Sequence, residues 1–418
     1  MNAPNGQRIV VTGMGAISPL GLNVSTLWDG LVNCRNGIGP ITQFDASGYE
    51  CRIAGEATDF DPGDFLTAKE ARRMARCSQM AVAAAREAAA QSGLAASRVN
   101  PERVGVLIGT AMGGWEKADE GTQRFRNSGS PRGNPFALPA SIPNMPSHHV
   151  SRDLQALGPL LTISTACATG SQAIGEAGEI IRRGAADVMV TGGVEALIRD
   201  FCIAGFSGMR ALPTCFNDTP ERASRPFDRD RAGFVFSEGC GVLVLESLDH
   251  ARNRSAEILA EVLGHGASAD AFHIAQPNPQ ASGAIRAMRW ALENAQVNTE
   301  DIDYINAHAT STPANDPLET LAIKTVFGAR AYSLPVSATK SMIGHPLGAS
   351  GALEAIACIM SIRTGVVHPT RNLENPDPDC DLDYVPHRAR ATPVQTVLTN
   401  SFGLGGQNAA LILRGFNL

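Results

Sequence analysis

Three side chains in this sequence could do covalent chemistry together: Cys167, His308 and His345. Cys167 stands in Ser164-Thr165-Ala166-Cys167-Ala168-Thr169-Gly170, directly after a predicted strand and in the first turn of a predicted helix. A thiol there meets the positive end of the helix dipole and free backbone N–H groups, both of which favour the thiolate. Its small neighbours leave room for a substrate to approach. His308 ends a predicted strand in Asn306-Ala307-His308-Ala309-Thr310-Ser311-Thr312-Pro313, and His345 lies in Lys340-Ser341-Met342-Ile343-Gly344-His345-Pro346. Each alone reads equally as an inert buried thiol or a structural histidine. A thiol in the first half with two imidazoles at the ends of neighbouring strands in the second is a more specific pattern, that of a candidate nucleophile with nearby bases.

The elements that must position these groups alternate between strand and helix. Apolar runs at 8–12, 104–110, 160–165, 187–193 and 241–247 read as strands, with an Ala-rich helix over 67–92 and a helix over 167–184. A second round follows: strands at 256–266, 303–309, 335–340, 396–401 and 408–414, and helices at 282–295, 317–328 and 349–365. The alternation predicts an α/β fold with mostly parallel strands. The similar element order of the two rounds predicts a duplicated architecture, with halves 1–253 and 254–418. The Pro/Gly/Asn-rich stretch 127–147 reads as a long surface excursion.

Composition narrows the function. The chain has 418 residues, a formal net charge of −6 and interspersed acids and bases. That charge balance argues against a nucleic-acid footprint. Arg72, Arg73 and Arg76 cluster on one predicted helix, as a solvated face or as a patch for an acidic partner. The nine cysteines include no C-x-x-C pair, so reduced thiols are expected, with neither a disulfide framework nor a zinc site. The N-terminus shows no apolar secretory segment, and no apolar run reaches spanning length, Glu354 breaking 352–362. A cytoplasmic protein without a membrane span is the expectation. Gly13-Met14-Gly15 lacks the third glycine of a dinucleotide loop, Ser18 standing in its place, and reads as a turn. Asp228, Asp230 and Glu238 are interleaved with arginines, so ion pairing is expected there in preference to a metal. His148-His149 reads as structural or interfacial.

Over nearly the whole chain the sequence resembles the β-ketoacyl-(acyl-carrier-protein) synthases of fatty-acid elongation, type II branch, in the thiolase-like superfamily. The motifs are VVTGMGAISPLG (10–21), STACATG (164–170), SRPFDRDRAGFV (224–235), NAHATSTPAND (306–316), TKSMIGHPLGASG (339–351) and NSFGLGGQN (400–408). The resemblance implies a thiolase-like duplicated α/β fold, layered α-β-α-β-α with mixed five-stranded sheets. It implies an acyltransferase that condenses an acyl-Cys enzyme with malonyl-carrier protein, losing CO2. Cys167 would be the acylated nucleophile and His308 and His345 its partners, with Lys340 and Glu319 supporting the histidines. Thr310 and Thr312 would bind the pantetheine arm. Phe402 would be the gating residue, its backbone N–H forming an oxyanion hole with that of Cys167, on a loop freed by Gly403, Gly405 and Gly406. Neither cofactor nor catalytic metal is expected, although an alkali cation near the site stays open. Acyl carrier protein and a second copy of the chain are the expected partners.

Against the usual family pattern, Ala309 replaces a glycine, Leu404 a phenylalanine, and Ser237 and Cys240 a Gly and an Ala; Ser147 stands in a segment that usually carries Gly. These bear on substrate preference more than on activity. A thiolase would need a second cysteine near Leu404, and there is none. A non-catalytic chain-length subunit would lack Cys167. A ketosynthase of polyketide or specialised lipid synthesis shares all the motifs.

Overall fold

Every residue of Ile9–Ile17 (β1) is buried, the signature of a strand covered on both faces. In the computed structural model, which describes residues 7–94, 99–130 and 132–416, β1 lies at the centre of a ten-stranded sheet. The other strands are β2 (Val104–Gly109), β3 (Leu160–Leu161), β4 (Val188–Glu195) and β5 (Gly239–Ser247), then β6 (Ala260–Ala269), β7 (Tyr304–Asn306), β8 (Val336–Ser337), β9 (Thr396–Gly403) and β10 (Gln407–Arg414). Their spatial order is β8-β7-β9-β10-β6-β1-β5-β4-β2-β3.

The duplication is explicit in that order. The first half runs β3-β2-β4-β5-β1, and the second runs β8-β7-β9-β10-β6, each strand five places later in the chain. Directions repeat as well. β2 is parallel to β3 and β4, and β7 to β8 and β9. β5 is antiparallel to β4 and β1, and β10 to β9 and β6. With the antiparallel β1–β6 junction, where Ile9, Val10 and Val11 face Val262, Glu261 and Ala260, there are four parallel and five antiparallel pairings. The expectation of mostly parallel strands is therefore corrected: the sheets are mixed, because the first and last strands of each half reverse direction beside one another.

Helices supply three layers, which with the two half-sheets make five. α1 (Arg76–Gln91) packs with α2 (Met145–Leu154) on the outer face of the first half, and α4 (Ser282–Ala295) with α5 (Asn315–Phe327) on that of the second. Between the halves lie α3 (Thr169–Arg182) and α6 (Ser350–Thr364), which touch each other and strands from both halves. Only small residues allow that approach. A Cβ on Gly170 would stand 2.6 Å from the Ala352 nitrogen, and one on Gly193 would stand 2.2 Å from the Gly348 oxygen, closer than any real contact. The two central helices thus begin side by side, which brings Cys167 and the segment after His345 together.

Several local expectations change. The helix predicted over 67–92 is a short turn of helix, Ala68–Ala71, followed by α1. Residues 127–147 are not a bare excursion: helices Trp115–Ser128, Ala137–Ser141 and α2 run through the region, and Pro146, Ser147, His149 and Val150 are buried. Ser147 earns its place there, because its hydroxyl donates to the Leu161 carbonyl at 2.7 Å and accepts from the Ile108 N–H at 2.8 Å. The strand expected over 160–165 shrinks to β3, whose two leucines are exposed. Gly13 and Gly15 sit inside β1, where a Cβ would strike the Ala88 and Ala84 carbonyls of α1; they serve close packing. Arg76 is not on a solvated face but pairs with buried Glu238 at 2.8 Å. By length and composition the segment Leu347–Thr364 could cross a membrane, contrary to expectation. It is the buried central helix of the fold. All nine cysteines are free thiols.

Candidate active site

Cys167 lies on a 3₁₀ turn, Ala166–Ala168, that runs into α3. Ala166 holds a left-handed φ of 51°, a conformation that costs a non-glycine residue about 1 kcal/mol and persists where the surroundings over-determine it. The sulfur is 3.0 Å from His345 Nε2, and His345 Nδ1 is 2.9 Å from Ser350 Oγ at the start of α6. Burial pushes the Cys167 thiol up to about 11, although the Leu404 N–H and the Lys340 charge favour the thiolate. Sequence position had suggested a thiolate; burial against the second half overrides the helix dipole. The resting sulfur is a thiol, and its S–H donates to His345 Nε2.

His345 does not end a strand. It follows a short helix, Lys340–Ile343, and Gly344, and its backbone pairs with the Val235–Phe236 segment of the first half. His308 follows β7, as expected, and its ring stands 5.4 Å from that of His345, nearly perpendicular. Burial, then the Lys340 charge, holds both imidazoles well below their ordinary value, so both are neutral. Lys340 Nζ is 3.3 Å from His308 Nδ1. An ammonium can only donate, so Nδ1 carries the lone pair and Nε2 the proton. His308 therefore presents an N–H into the site.

Lys340 is balanced by Glu354 of α6, with which it forms a buried ion pair and hydrogen bond. Burial raises the Glu354 carboxyl to about 7 while Lys340 pulls it down. Glu354 was read from sequence only as a charge interrupting an apolar run; a lone acid in such a run is itself the signal for a buried partner. Glu319 supports backbone, not an imidazole ring. Its carboxylate accepts from the His308 N–H at 2.8 Å and the Ala309 N–H at 2.7 Å, and from Asn400 Nδ2 at 3.2 Å. It thereby clamps the turn in which Ala309 holds a φ of 41°, the position where the family usually has glycine. Glu195, also missed, ties the loop after β2 to the turn before α6 by accepting from Ala111 at 2.8 Å, Met112 at 3.2 Å and Gly348 at 3.3 Å.

The expected place of Phe402 beside the sulfur is taken by Leu404. The backbone N–H beside the sulfur, with that of Cys167 itself, belongs to Leu404. Phe402 is paired with Asn408 inside the β9–β10 ladder, and its ring lies 5.6 Å from that of His308. Gly403 is likewise part of β9 and permits close approach instead of movement: a Cβ there would meet the Thr165 oxygen at 2.7 Å. Gly405 and Gly406, at φ of 86° and 74°, make the tight turn that projects the exposed Leu404. Thr310 and Thr312 lie on the loop after His308 with their hydroxyls 3.0 Å apart.

Cys167, His308 and His345 place their ligand-type atoms within 4.8 Å of one another, a set that a soft metal could use. The Lys340 ammonium beside His308 opposes a second cation there. Elsewhere, Asn306 Oδ1, Glu354 Oε2 and Asn400 Oδ1 are buried with no hydrogen-bond partner; these hard oxygens are the donor type an alkali cation takes. Asp228 and Glu238 are committed to Arg225 and Arg76, in line with the ion-pairing expectation.

Comparisons with known proteins converge on one family. The profile described as Beta-ketoacyl synthase, N-terminal domain, matches residues 6–251, and that of Beta-ketoacyl synthase, C-terminal domain, matches 259–374. The chain is 48% identical over 410 residues to 3-oxoacyl-(acyl-carrier-protein) synthase 2 of Synechocystis sp., covering 98% of each. Among solved structures, the ishigamide ketosynthase/chain length factor is 38% identical with a TM-score of 0.92, covering 98% of this chain and 100% of that one. A type II polyketide ketosynthase, solved with its acyl-carrier protein, is 32% identical with a TM-score of 0.90, covering 99% of this chain and 100% of that one.

Proposed function

Since this chain belongs to the beta-ketoacyl synthase family, we propose that Cys167, His308, His345 and Lys340 carry out the decarboxylative condensation of fatty-acid elongation, as a 3-oxoacyl-(acyl-carrier-protein) synthase. The observation that carries the assignment is a buried thiol 3.0 Å from a neutral imidazole, with a second, lysine-oriented imidazole alongside. The first half, 1–253, supplies the nucleophile, and the second, 254–418, supplies the histidines.

In the first half-reaction the S–H proton passes to His345 Nε2 as the sulfur attacks the acyl thioester. The developing oxyanion is met by the Cys167 and Leu404 N–H groups, each such donor being worth roughly 2–4 kcal/mol in a site closed to water. The carrier's thiol leaves with the proton. In the second, the bond between the malonyl methylene and its carboxylate breaks, CO2 departs, and the electron pair moves to the thioester oxygen. Nε2–H of His308 faces that charge. With the sulfur acylated and no longer donating, His345 Nε2 joins as a second donor once Ser350 accepts the change at Nδ1. The enolate carbon then attacks the acyl-Cys carbonyl, and the Cys167 sulfur leaves as a thiolate that takes the proton from His345 Nε2, the one proton consumed per condensation being restored to the imidazole from solvent. No cofactor is called for, because both acyl groups arrive on the phosphopantetheine of the carrier.

Acyl carrier protein as partner is supported by the polyketide ketosynthase solved with its own carrier. We place the enzyme in the cytoplasm as a homodimer. The outer edge of β3 is unpaired among the described residues and displays Leu160 and Leu161, with Leu157 beside them 67% exposed. Such an edge invites strand pairing with a second copy. Sedimentation at twice the chain mass is expected; a concentration-independent monomer would overturn it.

A second reading, a ketosynthase of specialised biosynthesis, is favoured by the likeness to the ishigamide enzyme. Purified protein with malonyl-carrier protein and a series of saturated acyl-carrier proteins separates the two. Elongation of saturated chains by two carbons, with one CO2 released per product, is the expected result. Failure on saturated primers with turnover of unsaturated or polyketonic ones would establish the second reading.

A further inference from the structure

His368 is fully buried, holds no role in the chemistry above, and is the hub of a polar network within a hydrophobic region. Its partners come from the two strands that lead to His308 and Lys340. Thr339, the residue before Lys340, has its Oγ1 3.0 Å from His368 Nε2. Asn306, two residues before His308, donates from Nδ2 to Thr339 Oγ1 at 2.9 Å and to the Tyr304 hydroxyl at 3.1 Å. The Tyr304 hydroxyl is 2.6 Å from Ser337 Oγ. All five side chains have no measurable exposure.

The shortest contacts set a direction for the network, with Asn306 Nδ2 at 3.2 Å and the Tyr304 and Ser337 hydroxyls at 3.3 Å standing as further neighbours of His368 Nε2. His368 Nδ1 faces the Pro369 carbonyl at 3.1 Å, which can only accept, so Nδ1 carries the hydrogen and Nε2 the lone pair. Thr339 donates to that lone pair, and its own oxygen is thereby free to accept from Asn306. Asn306 spends its second N–H on Tyr304, which donates onward to Ser337. Burial keeps His368 neutral, at about 4, so the direction holds across the working pH range. Four of the five residues lie on or directly after β7 and β8, parallel neighbours whose ladder is only two residues long. So short a ladder sets the spacing of its ends weakly, and the side-chain network completes it.

We propose that His368 is a positioning residue for decarboxylation: by accepting from Thr339 it locks the end of β7 to the turn carrying Lys340, and so fixes Lys340 Nζ against His308 Nδ1. His345 follows the same short helix, but its backbone is also pinned by Val235 and Ser237 of the first half and its ring by Ser350 of α6, so the sulfur–His345 contact does not rest on this lock alone. The proposal rests on the assignment of His308 and Lys340 to decarboxylation made above.

The test compares His368→Leu, which removes the acceptor at similar volume, with His368→Gln, which can restore one, and with Thr339→Val, which removes the donor from the other side. Malonyl-carrier decarboxylation, seen as CO2 release, should fall about 10-fold or more in kcat for His368→Leu and Thr339→Val, since misplacement by an ångström costs up to about 10²-fold. KM should be unchanged, and His368→Gln should recover most of the loss. Alkylation of Cys167 by iodoacetamide should stay within about two-fold throughout, which a general loosening of the fold would not allow. Unchanged decarboxylation in both variants, or parallel loss of decarboxylation and alkylation, overturns the role. His308→Ala serves as the control. If it still decarboxylates, the site assignment itself fails and this inference with it; if it is inactive while His368→Leu is normal, only the inference falls.

Discussion

Cys167→Ala is expected to abolish condensation, by about 10⁴-fold or more, while leaving malonyl decarboxylation running. Loss of a covalent nucleophile removes the reaction path itself, and the surrounding donors cannot replace it. Decarboxylation needs only N–H groups aimed at the thioester oxygen: that of His308, held by Lys340, and that of His345 once no S–H donates to its Nε2, with Ser350 at its Nδ1. Cys167→Gln should decarboxylate at least as well, its amide standing in for the acylated sulfur. The measurement is paired: 3-oxoacyl product by mass spectrometry and CO2 by release assay, on the same samples. Chain extension at the native rate by Cys167→Ala would refute the mechanism outright. Loss of both activities would show instead that the sulfur holds the histidines in place.

Lys340→Met carries the second large effect, on stability and activity together. Breaking a buried ion pair from one side costs about 3–5 kcal/mol, because the remaining charge is stranded. Glu354 can escape part of that by taking up a proton, since burial already raises its carboxyl to about 7. Without Lys340 its folded-state value rises further above that of the unfolded chain. A carboxyl raised on folding binds more protons folded than unfolded, so stability is greatest at low pH and lost as pH rises through that window. The melting-temperature deficit against the native protein should therefore be larger at pH 8 than at pH 6. Decarboxylation should fall about 10²-fold, because His308 Nδ1 loses the donor that keeps the proton on Nε2. Adding Glu354→Leu should recover most of the stability and none of the activity. If the double variant regained activity, Lys340 would be a structural cation only.

Much of the site was legible before any coordinates. Cys167 at a helix start and His308 just past a strand stand where short-range patterning put them, whereas His345 follows a short helix in place of the expected strand and Lys340 was named only through the family resemblance. The repeated element order also announced the duplication. Three features escaped. Strand direction escaped the patterning, although the family resemblance implied mixed sheets, because local periodicity is the same for parallel and antiparallel neighbours and only the closing strands of each half decide it. Glu354 did, because its partner lies fourteen positions away on another element and its own surroundings are wholly apolar. The N–H beside the sulfur did too: whether Phe402 or Leu404 supplies it turns on where β9 stops pairing and the Gly405–Gly406 turn begins, a matter of register two residues wide.

What the amino-acid order determined by itself was chemistry by type: a candidate nucleophilic sulfur at a helix start and two imidazoles, with the ammonium of Lys340 added by the family motif. What the assembled halves decided was protonation and aim. Burial of Cys167 under the second half makes it a thiol needing His345 as its base, despite a helix start that favours the opposite charge. The Lys340–Glu354 pair, formed only when α6 packs between the sheets, chooses which nitrogen of His308 bears the proton. Desolvation and long-range ion pairing depend on neighbours distant in the chain, and those neighbours exist only once the sheets have closed on the central helices.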